Sequence, residues 1–191
     1  MEQPYHNLDI IFEVKDGWRD IVDPINPKSV YLDSKCKYLT DDTLSFFEGA
    51  GIVCDYGYIW TWPRDYRPIE KQTYHTDFPD GRAQVAINYM LSGETGATEW
   101  INLDRARKCG IIDRQDFGYQ VTSYESDTCD FHVSLQYGVP MLARINMPHR
   151  VRADDITDTR ITYSMRMRNA KDMKELTWSD AVNYLQHYID E

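Results

Sequence analysis

The sequence predicts a mainly β protein, a sandwich or barrel of short strands with a few helices propped on its outside. From residue 52 onward, strand-like runs follow one another, broken by Gly, Pro and Asp, at the spacing of sandwich and barrel proteins. Aromatic residues make up 13% of the chain, with 14 Tyr and 5 Trp, and such side chains suit half-buried pleated surfaces. Helix signals occur at only two places. The 191 residues read as one domain (1–191) with a real hydrophobic core, and an apolar share of 42% fits a globular chain.

Residues 8–14 read as a first strand. Pro24 and Pro27 break the next segment into loop. Residues 40–49 read as a helix: Thr40 can cap it, Asp41 and Asp42 suit the positive end of its dipole, and Leu44 and Phe47 face the core. The strand runs then span residues 52–62, 72–77, 83–92, 97–103, 118–125, 129–137, 141–147, 149–153 and 160–168. Residues 179–189 read as a closing helix capped by Ser179, with Ala181, Val182, Leu185 and Ile189 as its apolar stripe.

Charge narrows the function classes. The net charge of −10 repels phosphate backbones, and nucleic-acid binders carry a basic stripe. The densest basic run, Arg166-Met167-Arg168, reads as a solvated strand face or as internal salt bridges. Cys36, Cys54, Cys109 and Cys129 form no C-x-x-C pair, so reduced thiols in a reducing, cytoplasmic compartment are expected. The first residues lack the basic start and apolar core of a secretory leader, and no run approaches the 18 or so apolar residues of a membrane span.

The sharp chemical feature is His75-Thr76-Asp77. Residues two apart on a strand share a face, so an imidazole and a carboxylate would lie side by side. His149 opens another β run 72 residues beyond Asp77. Two His and one carboxylate with open positions is the facial triad of O2-activating ferrous enzymes. Alone, a His-x-Asp tripeptide reads equally as a surface pair. Eleven residues after His149, Arg160, Thr162 and Ser164 share one strand face. A guanidinium beside hydroxyls can grip a carboxylate, although Arg160 could instead pair with Asp158. The alternating Tyr and Trp of residues 56–62 read as sheet packing ahead of a substrate platform. Tyr74 and Trp100 are pocket candidates by position. His132 reads as a core-strand or pocket residue, His6 as terminal loop and His187 as helix face.

In this order the pieces resemble the iron(II)/2-oxoglutarate-dependent dioxygenases, prolyl 4-hydroxylase-like members. Their H-x-D, distal H, then R with a hydroxyl residue corresponds to His75 and Asp77, His149, Arg160, and Thr162 or Ser164. Their Gly-Gly-x-Thr-x-Phe segment corresponds to Gly96-Ala97-Thr98-Glu99-Trp100, with Ala for the second Gly and Trp for Phe. Gly81-Arg82 leading into Asn88-Tyr89-Met90-Leu91 is similar to the hypoxia-factor prolyl hydroxylase type, and Met141-Leu142-Ala143-Arg144 takes the place of the strand before the distal His. The resemblance implies a double-stranded β-helix (jelly roll, cupin-like) over residues 55–168, with helices as outer supports. It implies Fe(II) on His75, Asp77 and His149 as the catalytic centre. It also implies 2-oxoglutarate as cosubstrate, its far carboxylate held by Arg160 with Tyr89 and Thr162 or Ser164. The implied reaction consumes O2, releases succinate and CO2, and hydroxylates a C–H bond of a peptide side chain or small metabolite. Halogenating relatives carry a small residue where Asp77 stands, so Asp77 favours hydroxylation. The readings set against this are a non-catalytic jelly-roll binding module, a cupin-type metalloenzyme that does not use 2-oxoglutarate, and a nucleic-acid demethylase of the same class. Cupin-type enzymes usually gather three His and a Glu, and the acidic charge argues against the demethylase.

Overall fold

Strands that alternate between two faces need two layers to bury them, and the chain supplies two antiparallel sheets. The computed structural model describes residues 2–22, 30–62, 73–78, 84–93, 96–114, 119–152 and 158–190. Its strands are β1 (Tyr5–Asn7), β2 (Val30–Ser34), β3 (Ile52–Trp62), β4 (Tyr74–Asp77), β5 (Val85–Ser92), β6 (Ala97–Trp100), β7 (Arg107–Arg114), β8 (Tyr119–Glu125), β9 (Phe131–Ser134), β10 (Met141–Arg144), β11 (His149–Arg152) and β12 (Arg160–Asn169). Helices α1 (Asp41–Gly49) and α2 (Trp178–Leu185) complete the main elements. The first sheet runs β1-β10-β5-β12-β3-β2 and the second β7-β8-β4-β11-β6-β9. From β3 to β6 the chain crosses between sheets at each strand, and from β9 to β12 it does so again. That winding is a double-stranded β-helix, a cupin-like jelly roll. The hairpin of β7 and β8 extends the second sheet at one edge.

The two faces of the first sheet have opposite chemistry. On β12, Ile161, Tyr163, Met165 and Met167 face outward and join the main apolar cluster with Ile59, Ile87, Phe47, Trp178 and Leu185. Arg160, Thr162, Ser164 and Arg166 face inward, towards the second sheet, and all four are buried. The largest core therefore lies under the helices, outside the sandwich. Between the sheets these polar groups lie beside a smaller apolar cluster that includes Met90, Trp100 and Met141, and so many buried polar side chains in one place mark a site.

Helix α1 begins as its sequence dictates, the Thr40 side chain accepting from the Thr43 amide. Thr43 Oγ1 in turn accepts from the Glu13 amide at 2.9 Å, which ties the helix to the N-terminal segment. Helix α2 starts earlier than expected. Its cap is Thr177, not Ser179: the Thr177 hydroxyl accepts from the Asp180 amide at 3.1 Å and donates to the Asp180 carboxylate at 2.6 Å. Beyond Leu185 it tightens into a 3₁₀ turn, Gln186–Tyr188. Residues 8–14 are not a strand. The ladder lies just before them in β1, and within them Leu8 and Val14 make only isolated bridges. Leu8 and Phe12 are buried in the core while Ile11 is 79% exposed, so side-chain packing rather than a partner strand places this run. Strands β2 and β7 went unforeseen, and β7 is rich in Arg, Lys and Asp with no apolar alternation to betray it. Pro24 and Pro27 lie outside the described residues.

Candidate metal centre

Two neighbour relations of a pleated sheet assemble the triad. His75 and Asp77 are two apart on β4. His149 on β11 stands directly opposite His75 in the antiparallel ladder. The imidazoles consequently sit side by side, with ring centroids 4.7 Å apart. Asp77 Oδ1 lies 3.7 Å from His75 Nε2 and 4.0 Å from His149 Nε2. One ligand atom from each residue falls within 4.8 Å of the others, and this group could hold a metal ion.

The far side of each ring prepares it for ligation. His149 Nδ1 lies 2.9 Å from the Met147 carbonyl, an acceptor, so that nitrogen carries the proton and Nε2 keeps its lone pair. His75 Nδ1 is 3.4 Å from the Thr73 carbonyl in the same sense. Burial lowers the pKa of His149 despite the opposing pull of Asp77, so the ring is neutral, the form that binds metal. Burial alone would raise the Asp77 carboxyl. The Arg166 charge and its hydrogen bond oppose this, and the group is held below the usual carboxylate range.

The inward row of β12 supplies two cations. Arg166 Nη2 donates to Asp77 Oδ2 at 2.7 Å, and its Nη1 donates to Ser164 Oγ at 2.7 Å. Ser164 passes the bond on to Asn88 Oδ1 at 2.6 Å. Arg160 is 2% exposed, and its Nε donates to Thr162 Oγ1 at 3.2 Å. Its Nη1 is buried without a hydrogen-bond partner among the described residues. Desolvation lowers the guanidinium pKa to about 10. Room for this side chain comes from Gly96: a Cβ there would meet Arg160 Nη1 at 2.3 Å, and its φ is +122°. Asp158 does not pair with Arg160; its Oδ1 accepts from the Thr159 amide.

Most expected residues converge and some do not. His75, Asp77, His149, Arg160, Thr162 and Ser164 all face the space between the sheets. Tyr89 is corrected: it points outward into the helix-side core, its ring 4.7 Å from Phe12. The period of two that carries Tyr89 out carries Asn88 and Met90 in. Thr162 touches Arg160, whereas Ser164 belongs to Arg166. Trp100 lines the centre, 6.5 Å from the His149 ring, with its Nε1 donating to the Arg144 carbonyl. Tyr74 faces away and donates to Glu99 at 3.1 Å. His132 is exposed and registers with Glu99, on the face away from the centre. His6 lies in β1, stacked 5.6 Å from Trp178 rather than in a loop, and His187 lies in the closing 3₁₀ turn. Tyr56 does pack against Tyr58, with ring centroids 5.6 Å apart, and Tyr58 against Trp60 at 5.7 Å; Trp62 follows them on the strand. Their register with Arg166, Ser164, Thr162 and Arg160 nevertheless puts them on the site side. Gly81 and Arg82 lie outside the described residues.

Arg166 is the functional residue that sequence reasoning missed. The period of two that groups Arg160, Thr162 and Ser164 reaches it at the next step, while its place in a basic run suggested solvent. The reading as internal salt bridges holds for both arginines: Arg168 bonds Asp55 at 2.7 Å and Arg166 bonds Asp77. All four cysteines are thiols. Among the described residues, no helix is long and apolar enough to cross a membrane.

No family model and no curated protein matches the chain. Among solved structures it is similar to the coconut allergen cocosin, with a TM-score of 0.38 and 12% identity over 85% of this chain and 30% of that one. The chain thus spans less than a third of that protein's length. The strand order and the inward triad define a jelly roll with a group of side chains able to hold a metal ion.

Proposed function

We propose that the protein is an iron(II)- and 2-oxoglutarate-dependent dioxygenase that hydroxylates a C–H bond of a peptide side chain or small metabolite. The observation that carries this reading is Arg160: a buried guanidinium whose Nη1 has no partner among the described residues, on the inward face of β12, across the space between the sheets from a His-Asp-His triad on β4 and β11. Among the described residues Arg160 has no counter-ion, and an uncompensated buried cation costs several kcal/mol, which an incoming carboxylate would offset. The triad's donor set, two neutral imidazoles and one carboxylate, fits ferrous iron with open positions. A dicarboxylate with a 2-oxo acid at one end has chemistry for both features.

In this reading His75 and His149 present Nε2 lone pairs and Asp77 its Oδ1. Arg160, steered by Thr162 and given room by Gly96, holds the distal carboxylate of the cosubstrate. Bound iron supplies the O2 chemistry that couples oxidative decarboxylation, to succinate and CO2, with insertion of oxygen into the substrate C–H bond. Trp100, stacked 5.5 Å from Tyr5, walls the centre beside His149 and limits water on that side.

The test is anaerobic titration of the metal-free protein with Fe(II) and then 2-oxoglutarate. A weak visible charge-transfer band is expected, lost in Asp77→Ala. Folded wild-type protein that binds Fe(II) and shows no band would overturn the cosubstrate; failure to bind Fe(II) at all would overturn the metal.

A further inference from the structure

Asp77 has two oxygens, and they face different partners. Oδ1 looks towards the two imidazole Nε2 atoms, at 3.7 and 4.0 Å. Oδ2 is held by Arg166 Nη2 at 2.7 Å. Arg166 is itself clamped. Its Nη1 bonds Ser164, which bonds Asn88 on the neighbouring strand β5, and its guanidinium lies 5.6 Å from the Tyr58 ring centroid on β3, the other neighbour. Both side chains of the pair are about 95% buried. The strand that carries Arg166 is hydrogen-bonded on both sides, so its backbone has little freedom to yield.

We propose that Arg166 is a positioning residue for the metal centre: by holding Oδ2 from the opposite sheet, it presents Asp77 to the metal through Oδ1 alone and keeps the carboxylate aimed when no metal is present. This rests on the metal reading above and deepens it. A carboxylate free to rotate could chelate through both oxygens and occupy a position that ligands need. It could also turn from the site when empty. A planar guanidinium bonding Asp77 and Ser164 at once prevents both, which a single ammonium cannot do. Outer-shell partners of this kind typically alter metal affinity by about 10- to 100-fold.

The experiment uses Co(II) as the probe, with wild type, Arg166→Met and Arg166→Lys. Affinity and the visible d–d spectrum are recorded without cosubstrate or O2, alongside far-UV circular dichroism and melting of the metal-free proteins. Arg166→Met is expected to bind Co(II) about 10- to 100-fold more weakly, with an altered d–d envelope. Arg166→Lys should fall between it and wild type, in spectrum as well as affinity. A merely structural ion pair would lower the melting temperature and leave the affinity and spectrum of the folded protein unchanged; that result overturns the proposal. If Arg166→Met does not fold, Arg166→Lys decides, and wild-type affinity and spectrum in it overturn the proposal. Absence of Co(II) binding by wild type would instead bring down the metal reading itself.

Discussion

At the scale of single residues, the centre depends on atoms whose partners are already fixed. Gly96 is the sharpest case, because the space a methyl would take belongs to the Arg160 guanidinium. Gly96→Ala is expected to push Arg160 aside and weaken 2-oxoglutarate binding while Fe(II) still binds, as read from cosubstrate titration of the charge-transfer band. Arg160→Met should act in the same direction and further. Loss of a charge-assisted carboxylate contact costs about 3 kcal/mol, roughly a hundredfold in affinity. The thiols divide by burial. Cys36 is fully buried and its pKa is raised to about 12, chiefly by desolvation, whereas Cys109 is exposed. Native protein at pH 8 should therefore react with a thiol reagent at Cys109 and spare Cys36, which mass spectrometry of the labelled peptides would show.

At the scale of elements, caps and turns hold the supports against the first sheet. Thr40→Ala removes the acceptor for the Thr43 amide and should cost about 1 kcal/mol in chemical denaturation. The turn after β2 is more demanding. Lys35 and Cys36 both have positive φ, and the buried Asp33 carboxylate accepts from the Lys37 and Tyr38 amides and from the Tyr163 hydroxyl. Asp33→Ala leaves those three donors unsatisfied next to a strained turn, and a loss of about 3 kcal/mol or more is expected by the same measurement. Strand β12 explains why elements were legible and faces were not. Its run was visible as alternating residues, yet both of its faces are buried, so hydrophobicity could not say which face meets a site. Tyr89 was misplaced for the same reason: on β5 both faces carry buried residues, and a phenol suits either.

At the scale of the whole molecule, the site is made by two sheets. The triad comes from β4 and β11 of the second sheet, and Arg160 and Arg166 from β12 of the first. A ligand touching metal and Arg160 together would bridge them. Fe(II) should stabilise wild type by mass action, by about 2.7 kcal/mol at a hundredfold excess over Kd, and so raise its melting temperature. 2-Oxoglutarate should add a second increment to the metal-loaded protein. In Arg160→Met only the second increment should disappear, whereas in His149→Ala both should be lost. A calorimetric scan without O2 separates these outcomes.

The sequence by itself determined what depends on neighbours along the chain. The strand runs from residue 52 onward, the cap of α1, the shared face of His75 and Asp77, and that of Arg160 and Thr162 all follow from local period and residue type. The tertiary structure decided what depends on neighbours across the ladder and between sheets. It put His149 opposite His75, turned Tyr89 out and Asn88 in, and moved the aromatic run onto the site side. It also buried Arg166 against Asp77, 89 residues away in sequence. The physical reason is that a period of two specifies which residues share a face without specifying what lies beyond that face. Only packing of one sheet against the other, with helices on the outside, chose the inner side.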